Sequence, residues 1–224
     1  MRFFRGLAVP SDRATNVVAE IKGNGIHTNS WRWQTEHFKR DPSLLDKIDL
    51  SLGDTRPEGA QGTPAVCACG DRDGAFFYAW RHNRNGSDDT PVIIEFECSS
   101  NDVAIDGKDC LYTVFQMGDP VRARPFMRTA FGDKGLSYAE RAWQTDDQRT
   151  RIAVCDLMIQ DKEVVEAHHR NPLVIAGRYN TVFRSAFTAA LPILPRFIQD
   201  VWIPDEMPSA PLPDVWLDHL LGRF

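Results

Sequence analysis

The chain has 224 residues, of which 42% are hydrophobic and 25% charged, and its formal net charge is −5 at pH 7. This size and composition predict one folded domain with at most a short appended segment. The charges of both signs are interspersed without a basic block, so no nucleic-acid-binding surface is evident, although a local basic cleft is not excluded. No stretch approaches the ~20 apolar residues of a membrane span, so we expect no membrane contact.

The cysteines indicate a reducing compartment. They are odd in number, and we find no secretory leader, so we expect free thiols in a cytoplasmic protein. The pair in Cys67-Ala68-Cys69 does not have the CxxC spacing, and no second pair stands at zinc-site spacing, which argues against a cysteine metal site.

The amino-terminal segment places an arginine inside an apolar run. Residues 3–9 predict a strand that carries Arg5 and ends at Pro10, followed by a helix with one apolar face and a stop at Gly23 and Gly25. A buried arginine needs an anion close by. That anion is either a structural carboxylate, such as Glu95 or Glu97, or the phosphate of a ligand.

The middle of the chain is dominated by predicted strands. Residues 64–69 form a strand that leads into a helix capped by Asp71 or Asp73. Residues 92–98 alternate as a half-buried strand does. Asp106-Gly107 predicts a hairpin turn between strands at 103–105 and 111–116.

The second half is predicted as loop and strand. Residues 118–135 form a long loop with Arg122, Arg124 and Arg128, followed by strands at 138–144 and 152–159 and a helix at 181–191. Residues 1–202 thus form one α+β domain. Residues 203–224 form a Pro-rich tail with a short amphipathic helix, which docks back on the domain or binds a partner.

Three segments, in this order, resemble the mono-ADP-ribosyltransferases that use an arginine, a Ser-Thr-Ser motif and a glutamate. The first is Phe4-Arg5-Gly6 on an early strand, and the second is the strand at 66–70 that feeds an aromatic helix. The third is Glu140, near the start of a later predicted strand. The resemblance covers roughly residues 3–160 and implies an α+β fold with central split, antiparallel-rich sheets flanked by helices.

The resemblance implies that the ligand is NAD, used as a substrate, and that the acceptor of ADP-ribose is a protein or a nucleic acid. Arg5 and Gly6 would bind NAD, Cys67 and Cys69 would stand at the serine motif, Tyr78 would stack on nicotinamide, and Glu140 would be catalytic. The resemblance is also compatible with a partner protein that inhibits the activity. Two departures are Cys-Ala-Cys in place of Ser-Thr-Ser, and Tyr138 where the family has a second acid.

The chemistry agrees with these residue types. Breaking the bond between nicotinamide and ribose leaves positive charge on the sugar, which a fixed carboxylate stabilises. An arginine fork matches the oxygens of a pyrophosphate in geometry and charge, and an aromatic face attracts the cationic nicotinamide.

Other interpretations stay open at this stage. Arg5 and Glu140 are equally explained as a structural ion pair and a surface residue, and Tyr78, Cys67 and Cys69 as ordinary core residues. Two further functions are a nucleic-acid hydrolase that uses His168 or His169, and a non-enzymatic module that binds through the tail.

Overall fold

The structure is a computed structural model that describes residues 1–27, 35–50, 61–82, 88–106, 108–117, 120–171 and 187–206. It is a mixed α+β protein with antiparallel sheets, which confirms the predicted class. The described strands are β1 (Arg2–Pro10), β2 (Thr35–Lys39), β3 (Gln61–Ala68), β4 (Asp89–Glu97), β5 (Val103–Ile105), β6 (Phe187–Ala190) and β7 (Ile198–Trp202). The described α-helices are α1 (Ala14–Asn24), α2 (Arg72–Phe77), α3 (Lys108–Phe115), α4 (Ala123–Ala142), α5 (Gln148–Met158) and α6 (Lys162–His169).

Two sheets form the framework. One has the strand order β1-β4-β7 and the other the order β2-β3-β6-β5, and all described pairings are antiparallel. The sheets meet just beyond the end of β3, where Phe4 and Cys69 exchange two backbone hydrogen bonds of 2.9 and 2.7 Å. This bridge brings the first strand of the chain against the segment that leads into α2.

Strand β1 contributes to two apolar clusters. Phe3 and Leu7 belong to the large core, which also contains residues of α4, α5 and α6. Phe4, on the opposite face, packs against a smaller cluster that includes Ala75 of α2 and Ile93 of β4. Because both faces of the first sheet are covered there, Ile93 and Ile94 are fully buried, so the predicted half-buried pattern is wrong for this part of β4 and holds at Glu95 to Glu97.

The amino-terminal predictions are confirmed. The strand at 3–9 corresponds to β1, and the helix after it is α1, which ends at Gly25 with a positive φ of 78°. The second predicted helix is α2, whose first turn is capped by Asp71, where the carboxylate accepts a hydrogen bond from the backbone N–H of Gly74. Local start and stop signals were sufficient for these elements.

The predictions for residues 111–159 are wrong, because this region is helical. The expected return strand at 111–116 lies mostly in α3. Most of the described part of the expected loop and strand at 118–144 lies in α4, and the strand at 152–159 lies mostly in α5. Apolar runs buried between neighbouring helices resemble buried strands in sequence. The cap at Asp147, whose carboxylate accepts from the N–H of Thr150, was the overlooked signal.

The carboxyl-terminal predictions are tested only in part. Residues 187–190 of the expected helix at 181–191 form strand β6, so that prediction is wrong for the part described. The amphipathic helix and most of the Pro-rich tail lie outside the described residues. Within the described residues, no helix combines the length and the apolar character needed to span a bilayer.

Candidate functional site

Arg5 lies in the middle of β1, beside the bridge that joins the two sheets. Its neighbour in β4 is Ile94, and its side chain lies on the same face as Phe3 and Leu7. The Nη1 atom of Arg5 donates a hydrogen bond of 2.7 Å to the carbonyl oxygen of Cys67. The guanidinium group therefore spans from the first sheet to the second, next to their point of contact.

The charge of Arg5 is buried without a countercharge among the described residues. The residue is 8% exposed, and its Nε has no hydrogen-bond partner. Its guanidinium forms no ion pair with a described carboxylate. Burial lowers the pKa of Arg5 from its usual value, and the nearby groups that act in the other direction are Cys67, Cys69 and Tyr78.

The carboxylates considered as structural partners of Arg5 have other positions. Glu95 pairs with Arg2 at 3.1 Å, and Glu97 is an exposed residue opposite Arg2 in the strand register. Neither one neutralises Arg5. Among the described residues, therefore, the structural ion pair considered from the sequence is not formed.

Cys67 and Cys69 are both close enough to Arg5 to influence the pKa of its guanidinium. Burial, and after it the charge of Asp106, raises the pKa of the Cys67 thiol to about 11. The pKa of Cys69 is also raised well above its usual value, mainly by burial. The raised pKa values favour the protonated thiols, which can donate or accept weak hydrogen bonds at the place of the serine motif.

Asp106 is a site residue that the sequence analysis missed. The sequence predicts a hairpin turn at Asp106, but this residue directly follows β5, and its carboxylate is close enough to Cys67 to raise the pKa of that thiol. Its Oδ2 atom is shielded from solvent. A carboxylate thus lies next to the same cysteine whose carbonyl oxygen contacts Arg5.

Gly6 allows α2 to pack directly on β1. A Cβ atom at this position would overlap the carbonyl oxygen of Ala75 and lie 2.8 Å from the backbone nitrogen of Ala79. The close approach expected at Gly6 is therefore made by a helix of the protein. The backbone of α2 and of the turn after it therefore packs directly against β1 at the residue next to Arg5.

Tyr78 begins a π-helical turn, Tyr78–His82, that continues α2. Its side chain is half-buried and close enough to Arg5 to influence the pKa of the guanidinium. Its ring packs edge-on against Phe77, with the ring centroids 6.0 Å apart. Tyr78 therefore lies near Arg5, as Cys67 and Cys69 do, and its contact with nicotinamide stays a prediction.

Glu140 lies in a different environment from the one expected. It is on α4 and not on a strand, its side chain is 47% exposed, and it pairs with Arg124 at 3.4 Å. No described contact links it to Arg5. Sequence reasoning placed it near a strand start because Tyr138 and Ala142 were assigned to a sheet, whereas both are buried on one face of the helix.

The two histidines of the hydrolase alternative have structural partners. His168 is buried, stacks on Phe131 at 4.7 Å, and contacts the carbonyl oxygen of Ala130 through Nδ1 at 3.2 Å. His169 contacts the carbonyl oxygen of Arg2 through Nε2 at 2.7 Å. Two of the three arginines predicted to lie on a loop are in α4 and pair with acids, as the Arg128–Asp133 pair at 3.0 Å illustrates.

The chemistry available at the site is that of a buried cation beside thiols, a phenol and a carboxylate. The described residues contain no group of three or more histidine, cysteine or acidic side chains that could hold a metal ion. In comparisons with known proteins, no family model, no curated protein and no solved structure matches this chain. The functional argument therefore depends on the geometry around Arg5.

Proposed function

We propose that this protein binds NAD through Arg5 and transfers ADP-ribose to a protein or nucleic-acid acceptor. The observation that carries the proposal is that Arg5 is 8% exposed and forms no ion pair with any described carboxylate. Such a buried charge is costly unless an anion meets it, and the pyrophosphate of NAD carries two negative charges in an arrangement that suits a guanidinium fork.

Two further observations support the same proposal. The two antiparallel sheets meet at a single described bridge beside Arg5, which is compatible with the split sheets of an ADP-ribosyltransferase-like fold. Tyr78 lies in the same neighbourhood and offers an aromatic face for nicotinamide. The free thiols of Cys67 and Cys69 suit the cytoplasm, where we place the reaction, and an inhibitory partner protein remains part of the proposal.

The proposed reaction is a substitution at C1′ of the nicotinamide ribose. The bond between C1′ and the nicotinamide nitrogen breaks, and its electron pair leaves with nicotinamide. A lone pair of the acceptor forms the new bond to C1′, and the proton of the acceptor passes to solvent. Arg5 holds the diphosphate in place during this step, and a carboxylate stabilises the positive charge on the sugar.

The experiment compares nicotinamide release from NAD by the wild-type chain, by Arg5→Lys and by Arg13→Lys. Arg5→Lys keeps the charge but loses the fork, so we expect release to fall on the order of tenfold or more. Arg13 is exposed and serves as the matched control, with an unchanged rate expected. If the wild-type chain neither releases nicotinamide nor gains thermal stability in millimolar NAD, the proposal is wrong.

The role of Glu140 is tested separately with Glu140→Gln. If Glu140 stabilises the developing sugar cation, release falls on the order of a hundredfold while NAD binding is retained. An unchanged rate removes Glu140 from the mechanism and leaves NAD binding by Arg5 intact. The acceptor is then identified by incubation with labelled NAD and either protein or nucleic acid.

A further inference from the structure

A row of small and polar side chains crosses the second sheet next to Arg5. Cys67 of β3 lies opposite Thr188 of β6, and Thr188 lies opposite Ala104 of β5. Residues directly opposite each other in an antiparallel pair share a face of the sheet. Cys67 and Thr188 are only half-buried. This face is therefore not filled by a closed apolar core.

Asp106 continues this face at the end of the sheet that contacts β1. It is two residues beyond Ala104, just as Cys69 is two residues beyond Cys67, so both continue the same face by the strand alternation. The bridge between Phe4 and Cys69 stands at this same end. The topology thus brings Asp106 close to the junction at which Arg5 is buried.

Cys67 connects the two charges. Its carbonyl oxygen accepts from Arg5 at 2.7 Å, and Asp106 lies close enough to its thiol for the carboxylate charge to raise the pKa of the thiol. Arg5 and Asp106 are not an ion pair, since no Arg5–Asp106 pair is among the described salt bridges. The cation and the anion are therefore both close to Cys67, and no described ion pair joins them.

We propose that Asp106 is a second charged residue that lines the Arg5 site. Its carboxylate faces the ribose of the ligand, opposite the group that Arg5 binds. The identity of the ligand rests on the proposed function. Arg5 meets the diphosphate, and the Asp106 carboxylate accepts hydrogen bonds from ribose hydroxyls and faces the carbon that becomes cationic. The preferred ligand has an anionic part and a hydroxyl-rich or cationic part, so a bare anion is bound less well.

The test measures the affinities of two probes, inorganic pyrophosphate and NAD, by calorimetry. The proteins are the full wild-type chain, Asp106→Asn and the control Asp102→Asn. Asp102 is close in sequence but pairs with Lys39 at 3.5 Å on the exposed surface. If Asp106→Asn does not fold, Asp106→Ser is a second neutral variant for the same comparison.

We expect opposite effects on the two probes. In Asp106→Asn the affinity for NAD falls about tenfold, because a hydrogen bond to a charged acceptor is lost. The affinity for pyrophosphate rises about threefold, because a negative charge near Arg5 is removed. Asp102→Asn changes both affinities less than about twofold, because exposed charges are screened. A purely structural role of Asp106 would weaken both probes together.

The outcomes separate this inference from the proposed function. If NAD binds and Asp106→Asn alters neither affinity, or lowers both equally, the inference about Asp106 is wrong and the proposed function stands. If pyrophosphate binds but NAD does not, the proposed function is wrong, and a rise in pyrophosphate affinity in Asp106→Asn still supports the inference. If the wild-type chain binds neither probe, both proposals are overturned.

Discussion

Arg5 and Arg40 are both substantially removed from solvent, but only Arg40 has its anion inside the described fold. The Nη1 atom of Arg40 lies 2.8 Å from Oδ2 of Asp156, and the hydroxyl of Tyr112 donates to Oδ1 of the same carboxylate at 2.7 Å. The backbone N–H of Arg40 donates to Gln160 at 2.9 Å. Arg5 has one hydrogen bond to a carbonyl oxygen and no described carboxylate partner, whereas an Nε without a hydrogen-bond partner is common to both arginines.

The difference indicates two kinds of arginine. Arg40 connects the end of β2 to α5 and, through Asp156 and Tyr112, to α3, so we assign it a structural role. Arg5 occupies a junction between sheets with its charge uncompensated by described carboxylates, which is typical of a site that receives its anion from a ligand. The predictions below test whether Arg5 and Arg40 have these two different roles.

The largest expected effect comes from Gly6, which fixes the surroundings of Arg5. In Gly6→Ala the new Cβ overlaps the backbone of Ala75, so β1 and α2 must move apart, and the free energy of unfolding falls by about 4 kcal/mol. The matched control is Gly23→Ala, where nothing lies within 4 Å of the new Cβ. We expect that control to be neutral or to stabilise α1 by about 1 kcal/mol.

Urea denaturation of both variants measures these changes. If Gly6→Ala is as stable as the wild-type chain, then α2 is not held against β1 as described. The fixed placement of Tyr78 near Arg5 would then have no basis. The contrast between Arg5 and Arg40 would then lose its evidence for a site that the fold holds in place around Arg5.

The second effect concerns the structural arginine. Asp156→Ala leaves Arg40 largely buried without its anion and also removes the acceptor of Tyr112, so we expect a loss of about 3 kcal/mol in unfolding free energy. The control is Asp133→Ala, which breaks the exposed pair with Arg128. Exposed pairs contribute at most about 1 kcal/mol, so the control is close to neutral. Equal losses in the two variants would contradict the structural role of Arg40.

The third effect is smaller and depends on pH. Burial lowers the pKa of His168 from 6.5 to about 4, so the folded protein binds this proton less well than the unfolded chain does. The contribution of neutral His168 is therefore complete above pH 6.5 and is lost as the pH falls towards about 4. Between pH 7 and pH 5 we expect a loss of about 2 kcal/mol from this residue.

Denaturation of His168→Gln and of the control His27→Gln, at both pH values, tests this dependence. The first variant is less stable at pH 7, because the stacking on Phe131 is lost, but its stability falls less on acidification. The control keeps the full acid dependence. An identical acid dependence in His168→Gln and in the wild-type chain would show that His168 is not held neutral by burial.

The sequence predicted the elements with clear local signals and missed those decided by tertiary contacts. The Arg5 strand, the Cys67-Cys69 segment and the helix after Asp71 were recognised, because an apolar run, a cap and a glycine stop marked their limits. The helices α3, α4 and α5 were read as strands and loop, because an apolar segment that is buried by other helices has no clear polar face.

Only part of the candidate site was predicted, because local signals mark some of its residues and tertiary contacts place the others. Arg5, Cys67, Cys69 and Tyr78 are close together, as the order of the segments indicated. Asp106 was missed because its position depends on β5 pairing with β6, a strand much later in the chain that was read as part of a helix. Glu140 was chosen on the assumption of a strand, and the catalytic role given to it stays a prediction.

The central claim is that Arg5 binds a ligand and does not stabilise the fold. Its test involves the smallest expected change in the free energy of unfolding. The measurement is the melting temperature of the wild-type chain and of Arg5→Met, each with and without millimolar NAD. We predict that Arg5→Met unfolds within about 1 kcal/mol of the wild-type chain, because no described ion pair is broken. We also predict that NAD raises the melting temperature of the wild-type chain alone, because a ligand that binds only the folded state stabilises it. A strongly destabilised Arg5→Met, together with no response of the wild-type chain to NAD, would contradict the account.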